Sequence, residues 1–242
     1  MSATVDIAPP GPARAPGQIA WIVRRFLRNK AAVAGLIVVG LFVLVAIFAP
    51  LLAPYDPIKT NWSEIRHAPS AAHWFGTDEL GRDIFSRIIY GARASLMAGV
   101  VSVVIAFVVG VPIGIVSGYV GGVFDTVVMR VIDAFLAIPF LIMAIALAAF
   151  LGPSLTNAMI AIGLSAMPVF IRLTRGQVLS VKTEDYVEGA RSIGLRHSSI
   201  IRRYILPNVF APILVQATLT IATAIIAEAS LSFLGLGQQP PA

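Results

Sequence analysis

Long apolar runs alternate with short polar segments along this chain. Three stretches without formal charge, residues 31–53, 94–124 and 134–171, are each long enough to hold a helix that crosses a bilayer, which takes about 20 residues. The pattern predicts an all-α integral membrane protein. The predicted spans cover residues 31–53, 96–119, 127–151, 155–171 and 211–234.

The basic residues predict how these spans are oriented. Four Lys or Arg side chains lie between residues 24 and 30, and seven of the chain's eighteen lie within residues 172–208. If the N-terminus is cytosolic, four crossings bring the chain back to the cytosol just before Arg172, so both basic segments lie where positive charge is favoured. A signal peptide is the competing interpretation of the first run, but its apolar core would be only about 7–15 residues long. We therefore expect a multi-pass integral membrane protein with a cytosolic N-terminus.

Four regions follow from this topology. Residues 1–20 are rich in Pro, Ala and Gly and are expected to be a disordered cytosolic tail. Residues 21–53 contain the basic segment and the first span. Residues 54–93 form an extracytoplasmic loop that ends in an amphipathic helix, predicted at residues 78–93. Residues 94–242 form the core transmembrane domain, which includes the basic loop, residues 172–208.

Composition excludes several kinds of function. Charged residues make up 12% of the chain, whereas a soluble domain carries about 25%. The absence of cysteine excludes thiol catalysis, Cys-ligated metals and disulfides. No Gly-Lys pair occurs, so a phosphate-binding P-loop is absent. The cations adjoin apolar runs and therefore indicate topology rather than nucleic-acid binding.

The three histidines offer little chemistry. His67 and His73 share their loop with acidic residues, so a metal site there is an alternative to ordinary polar loop residues at the membrane interface. The run His197-Ser198-Ser199 places a base beside hydroxyl groups, but catalytic triads are recognised by geometry rather than by adjacency. We expect no catalytic residue, no metal site and no cofactor in this chain.

The basic loop predicts a short helix. Thr183 is a plausible N-cap, acidic residues follow in the first turn, and Gly194 is a natural C-terminal stop. Val187, Ala190 and Gly194 would share one face, while Glu188 would point elsewhere. A second short helix, at residues 198–206, would end at Pro207. An ordinary basic loop that only fixes topology is the alternative.

A motif in this loop resembles the EAA loop of permease subunits of bacterial ABC importers. The motif consists of Glu188-Gly189-Ala190, then Gly194, then Ile205-Leu206-Pro207. Gly189 stands where the motif has its middle Ala, and Tyr204 replaces a more usual aliphatic residue. The resemblance implies that the loop is a coupling helix seated in a cleft of a separate ATPase subunit. Its coupling residues would be Tyr186, Val187, Glu188, Gly189, Ala190, Arg191, Ile193, Gly194, Leu206 and Pro207.

A second segment, residues 74–87, resembles the stretch before the second span in dipeptide/oligopeptide importer permeases of the C type. Residues 25–30, 52–57 and 231–237 also fit that branch. The resemblance implies a type I ABC importer permease fold and transport of di- or oligopeptides, with a nickel chelate or glutathione as the alternative solute. Family members have six spans, so a sixth is expected beyond the five visible here.

The same resemblance implies a location in the bacterial inner membrane and several partners. They are a second homologous permease, two ATPase subunits that bind ATP and Mg, and an extracytoplasmic substrate-binding protein. A self-sufficient secondary transporter is an alternative class, but it predicts several ionisable groups within the membrane. A membrane-bound enzyme is a third class, and the chain lacks a catalytic constellation for it.

A polar stripe on the last span is a candidate substrate pathway. Gln216, Thr220, Ala224 and Glu228 recur every four residues and would share one helix face. A Glu within a span is costly and usually faces a cavity or a partner. The alternative is a small-residue packing face with Glu228 hydrogen-bonded internally.

Other polar and kinking residues in the spans give two further predictions. Spans two, three and four should be interrupted by Pro112, Pro139 and Pro168. Such kinks could serve movement between inward and outward states, but helix packing is the simpler explanation for these prolines. Arg130 and Asp133 should pair with each other one helical turn apart.

Overall fold

A computed structural model describes residues 18–237, and every regular element in that part of the chain is helical apart from one isolated bridge between Thr77 and Asp83. The chain divides into two units, Met1–Val45 and Ala46–Ala242. The helices are α1 (Gln18–Arg28), α2 (Lys30–Ile47), α3 (Ala49–Leu52), α4 (Ile84–Val120), α5 (Gly122–Leu136), α6 (Phe140–Leu151), α7 (Leu155–Val181), α8 (Asp185–Ser192), α9 (His197–Ile200) and α10 (Leu206–Phe233).

The break between α1 and α2 falls at Asn29. Its side-chain oxygen accepts hydrogen bonds from the amides of Ala31 at 3.1 Å and Ala32 at 3.2 Å, which caps the start of α2. The first span was predicted to reach residue 53, but α2 ends at Ile47. Pro50 then lies in the first turn of α3, where its missing N–H costs nothing. Residues 1–17 of the predicted disordered tail lie outside the described residues.

Four helices are long and apolar enough to cross a membrane, namely α2, α4, α7 and the continuous stretch from α9 through α10. Helices α5 and α6 form a fifth candidate span that is bent by 90°. The predicted number of five spans is therefore confirmed for the described residues. The third span was predicted as one helix, and the bend at Pro139 is the difference.

Helices α4 and α7 run side by side in the same direction. Ser102 of α4 donates to the carbonyl oxygen of Met159 over 3.0 Å, and Gly118, sixteen residues further along α4, lies against Val178 of α7. Because the two helices are parallel, the chain between them must return along the bundle, and α5 with α6 makes that return. The loop of residues 54–83 and helix α8 therefore lie at opposite ends of α4.

Glycines on α4 allow this close approach. A Cβ atom added at Gly114 would lie 2.7 Å from the carbonyl oxygen of Ile171, and one at Gly118 would lie 2.9 Å from that of Arg175. Gly110 meets Phe170 in the same way, at 2.9 Å. Small residues every four positions let two backbones touch, which is how helices associate in lipid.

Several predicted boundaries were wrong because helices continue beyond the membrane. The amphipathic helix predicted from residue 78 begins at Ile84 and is continuous with the second span, so α4 has 37 residues. Residues 78–83 instead form a turn in which the Asp83 carboxylate caps α4 by accepting from the amide of Ser86 at 2.8 Å. Helix α7 likewise continues ten residues past the predicted end at Ile171, to Val181.

The three prolines behave differently from one another. Pro112 and Pro168 lie inside the continuous helices α4 and α7, so the predicted interruptions there were wrong. In lipid-embedded bundles, neighbouring helices can satisfy the backbone groups that such prolines free. Only Pro139 breaks its span, because the residue before a proline is pushed out of the helical conformation and α6 starts afresh behind it.

A predicted ion pair and a predicted helix end at the α8 end of the bundle were also wrong. Asp133 pairs with Arg172 of α7 and not with Arg130. The helix predicted to end at Pro207 does not end there. A π-helical turn over Ile201–Ile205 leads directly into α10, and the Asn208 side chain donates to the Tyr204 carbonyl oxygen at 2.6 Å. Pro207 therefore lies in the first turn of α10, where its missing N–H leaves no hydrogen bond unmade.

We expect Gly114→Ala to lower the thermal unfolding midpoint of the purified protein, because overpacking a tight contact costs about 1–3 kcal/mol. Gly91→Ala in the same helix is the matched control, since no heavy atom lies within 4 Å of a Cβ there. That control should be neutral or stabilising by about 0.5–1 kcal/mol. A midpoint for Gly114→Ala at or above that of Gly91→Ala would contradict the close approach of α4 and α7.

Candidate coupling surface

Helix α8 is held by its ends. The predicted N-cap was wrong. Glu184 occupies that position without a side-chain cap, and the Thr183 hydroxyl donates to the Ser180 carbonyl oxygen at 2.9 Å. The predicted stop is confirmed, because Gly194 has φ +74° and its amide donates to the Arg191 carbonyl oxygen at 2.9 Å. The next amide, of Leu195, closes the C-terminal turn on Ala190 at 3.2 Å.

One face of α8 is part of the protein core. Val187 and Ala190 are buried, and they belong to the same apolar cluster as Phe170 of α7 and Ile205 of the π-helical turn. Gly194 was expected on this face but is exposed. Because one cluster extends from the middle of the bundle to α8, a displacement of α8 must disturb the packing of α4, α7 and α10.

The opposite face of α8 is open to a partner. Ile193 is 75% exposed and Tyr186 is 43% exposed. Gly189 lies between them on this face, and no heavy atom lies within 4 Å of a Cβ added there. Glu188 and Arg191 are also exposed, whereas Leu206 is half-buried and Pro207 exposed at the start of α10. The surface therefore combines apolar groups with one charge of each sign.

Residues that the sequence did not predict tie this segment to the last turn of α4. The Tyr119 hydroxyl and His197 Nδ1 are 2.7 Å apart and share a hydrogen bond. The Arg191 guanidinium lies over the Tyr119 ring, 5.6 Å from its centroid. Lys182, just before α8, donates to the Gly118 carbonyl oxygen at 2.8 Å. The last turn of α4 thus contacts both ends of the α8 segment.

A second polar cluster lies beside this turn. The Arg175 guanidinium of α7 donates twice to the Asp125 carboxylate of α5, at 3.0 and 2.6 Å, and the Ser117 hydroxyl of α4 donates to it at 2.6 Å. Asp125 is buried. No local signal in the sequence identifies partners that are 8 and 50 residues away.

The predicted pathway stripe faces the interior of this chain. Thr220, Ala224 and Glu228 are buried, and Ala224 packs in a cluster with Ala148 of α6 and Ile162 of α7. Ser232 donates to the Glu228 carboxylate at 2.7 Å, and Gln216 donates to Thr220 at 3.1 Å. This arrangement favours the packing interpretation in the conformation described here. The pathway role stays a prediction.

The loop at the other end of α4 has a buried histidine at its centre. His73 Nδ1 is 2.9 Å from the Asp83 carboxylate and Nε2 is 3.2 Å from the Glu64 carboxylate, while the Tyr55 ring stacks 4.7 Å away. The hydrogen bond to Asp83, with a further one to Glu64, raises the pKa of His73 although burial opposes this. Across residues 18–237, no group of three or more His, Asp or Glu side chains is arranged to hold a metal ion.

Family models match most of this chain. A model described as the binding-protein-dependent transport system inner membrane component matches residues 110–242. A model described as the N-terminal TM domain of oligopeptide transport permease C matches residues 16–69. Together, the two matches cover the predicted first span, residues 31–53, and the basic loop, residues 172–208.

Similar proteins come from two kinds of peptide transport system. A dipeptide transport system permease protein of Alkalihalophilus pseudofirmus is 48% identical over 218 residues, which are 90% of this chain and 72% of that protein. A glutathione transport system permease protein of Shigella flexneri is 46% identical over 98% of this chain and 78% of that protein.

Two solved structures share the fold. Both are inward facing conformations of the MetNI methionine ABC transporter, and each covers 62% of this chain. Their TM-scores are 0.56 at 23% identity and 0.54 at 26% identity, and the matches cover 76% and 75% of the respective chains. The expected type I permease fold is confirmed.

We expect the loop of residues 54–83 to loosen as pH rises. A raised folded-state pKa means that His73 stabilises the loop fully below its ordinary value of about 6.5, and that this stabilisation is lost as pH rises through the folded-state pKa. The rate at which proteinase K cleaves the loop at pH 6 and pH 9 measures this loss of stability. The cleavage rate of the wild type divided by that of His73→Gln should rise with pH. The same ratio taken with the exposed control His67→Gln should stay constant, and a constant ratio for His73→Gln as well would refute the role of His73.

We expect substitutions at Gly189, within α8, and at Gly194, just after its end, to have opposite effects. Gly189→Ala should slow hydrogen exchange in α8, because the site is open and Ala favours a helix by about 0.5–1 kcal/mol. Gly194→Ala should speed exchange, because a side chain at φ +74° costs about 1–2 kcal/mol. Mass spectrometry of the intact protein reports both rates, and slowing in both variants would contradict the helix end described here.

Proposed function

Because this chain belongs to the inner-membrane permeases of binding-protein-dependent ABC importers, in the branch of dipeptide, oligopeptide and glutathione permeases, we propose that it forms half of a membrane pathway for small peptides. The other half is a second, homologous permease. The identity of 48% with a dipeptide permease over 90% of the chain carries the choice of substrate. Glutathione is the second candidate, because the glutathione permease is 46% identical over 98% of the chain.

The energy for transport comes from partner subunits in this proposal. Two ATPase subunits bind ATP and Mg, and an extracytoplasmic binding protein delivers the substrate. The chain itself lacks a P-loop sequence, so hydrolysis takes place elsewhere. This permease converts the closing and opening of the ATPase pair into movement of its spans.

The exposed face of α8 is the proposed contact with an ATPase subunit. Ile193 and Tyr186 offer apolar area, and Gly189 leaves room for a close approach. Aromatic and apolar anchors surrounded by charge are typical of protein interfaces. Since ATP is cytosolic, α8 lies on the cytosolic side in this proposal, and the loop of residues 54–83 faces the binding protein. The basic residues between positions 24 and 30 favour the cytosolic side for the N-terminus.

Purification of the tagged chain from membranes of its own host tests the proposal. We expect two ATPase subunits and a second permease to accompany it, whereas recovery of the chain alone would overturn the proposal. Uptake by the reconstituted complex should then be measured with a labelled dipeptide and with labelled glutathione. The substrate that is taken up faster is the one assigned to this permease.

The residue roles are tested in the same complex. Glu188→Lys reverses a charge on the proposed ATPase contact, so we expect ATP hydrolysis to continue while uptake falls about tenfold, as expected for a lost charged contact of 1–2 kcal/mol. Arg203→Glu reverses an exposed charge of the same basic loop outside the proposed contact and is the control. Equal uptake by the two variants would refute the role of α8 in coupling hydrolysis to uptake.

A further inference from the structure

Helix α5 is attached to the bundle at few points. Only Asp125 and Ile132 of its fifteen residues are buried, and apolar side chains such as Val123 and Val127 are exposed. Asp125 lies in the first turn and meets groups from two other helices. Asp133 near the other end pairs with Arg172 of α7, so α5 is held at both ends and a shift of either contact displaces it.

The anchored end of α5 lies against the last turn of α4. Ser117 donates to Asp125, while the two residues that follow, Gly118 and Tyr119, bind the segment around α8. Three consecutive residues of α4 therefore face α5 on one side and both ends of the α8 segment on the other. Arg175 of α7 completes the group through its double hydrogen bond to Asp125.

We propose that the last turn of α4 relays the movement of α8 to α5, with Tyr119 and His197 as positioning residues on the α8 side and Asp125 and Arg175 on the α5 side. The inference rests on the proposed function, in which an ATPase subunit moves α8. Displacement of α8 pulls on Tyr119 and Gly118, and Ser117 and Arg175 carry the shift to the Asp125 carboxylate.

The shape of the bent span makes this relay useful. Helix α5 has fifteen residues and is therefore about 22 Å long. It ends at the 90° bend before α6. A shift at Asp125 is carried along this helix toward the bend, while the pair of Asp133 with Arg172 holds the other end of α5 to α7.

Transport per ATP in the reconstituted complex with its binding protein is the measurement that tests the relay. Tyr119→Phe removes only the hydroxyl and keeps the ring under Arg191. Asp125→Asn keeps an acceptor for Ser117 but removes the charge. Each should lower substrate transported per ATP by about threefold to tenfold, as expected for one lost hydrogen bond, with assembly and the KM for ATP unchanged. The double variant should be no worse than the more affected single variant, because both changes break one relay.

Matched controls and a rescue variant separate the relay from simple structural damage. Arg196→Ala beside His197 and Thr126→Ala beside Asp125 should leave transport per ATP unchanged. His197→Ala should lower it, and His197→Asn should restore it, since Asn places a hydrogen-bonding atom near the position of Nδ1.

Two results would overturn the relay. In one, Tyr119→Phe, His197→Ala and Asp125→Asn match the controls while Glu188→Lys still uncouples hydrolysis from uptake, so the proposed function stands and the relay does not. In the other, hydrolysis and uptake fall in proportion, so that transport per ATP stays constant and the residues act only in assembly. If no ATPase subunit were recovered with the chain, the proposed function itself would be refuted.

Discussion

The close contact of α4 with α7 is the constraint on which the rest of the structure depends. Glycines at positions 110, 114 and 118 bring the two backbones to distances that a side chain would prevent. Helices in lipid gain little from the hydrophobic effect on association, so such packing supplies much of the attraction. The contact also fixes the parallel direction of α4 and α7 and therefore the return path that α5 and α6 must take.

The same contact organises the α8 end of the molecule. It brings Ser117 of α4 and Arg175 of α7 to within reach of one carboxylate, that of Asp125. It also builds the apolar cluster that receives Val187 and Ala190 of α8. The contact of α4 with α7 therefore determines both the packing within the bundle and the position of the exposed face of α8.

The sequence predicted the elements well where hydropathy dominates. Long apolar runs predicted five spans, and Gly194 predicted the end of α8, because each depends on neighbouring residues alone. Helix ends outside the membrane were predicted poorly. Charged residues such as Arg172 and Arg175 were assigned to a loop, although a helix that leaves the bilayer can continue through polar residues, as α7 does to Val181.

Contacts between residues far apart in sequence could not be predicted from the residues next to each of them. Asp133 had Arg130 one turn away, yet its partner is Arg172, which lies 39 residues away in sequence and reaches Asp133 only through the folding of α7 beside α5. Tyr119 and His197 are 78 residues apart and meet for the same reason. The three prolines were indistinguishable in sequence, and only the surroundings of each decide whether its helix breaks.

The right-angled bend between α5 and α6 has a consequence for the surrounding membrane. Helix α6 has twelve residues and measures about 18 Å, so neither half alone crosses a hydrocarbon layer of about 30 Å. The final carbonyl groups of α5, near Ala137, therefore point into a depth where acyl chains offer no hydrogen-bond donor. Such a bend is stable only beside a hydrated crevice or another polypeptide that supplies hydrogen-bond donors. Lipid alone therefore cannot surround this part of the subunit.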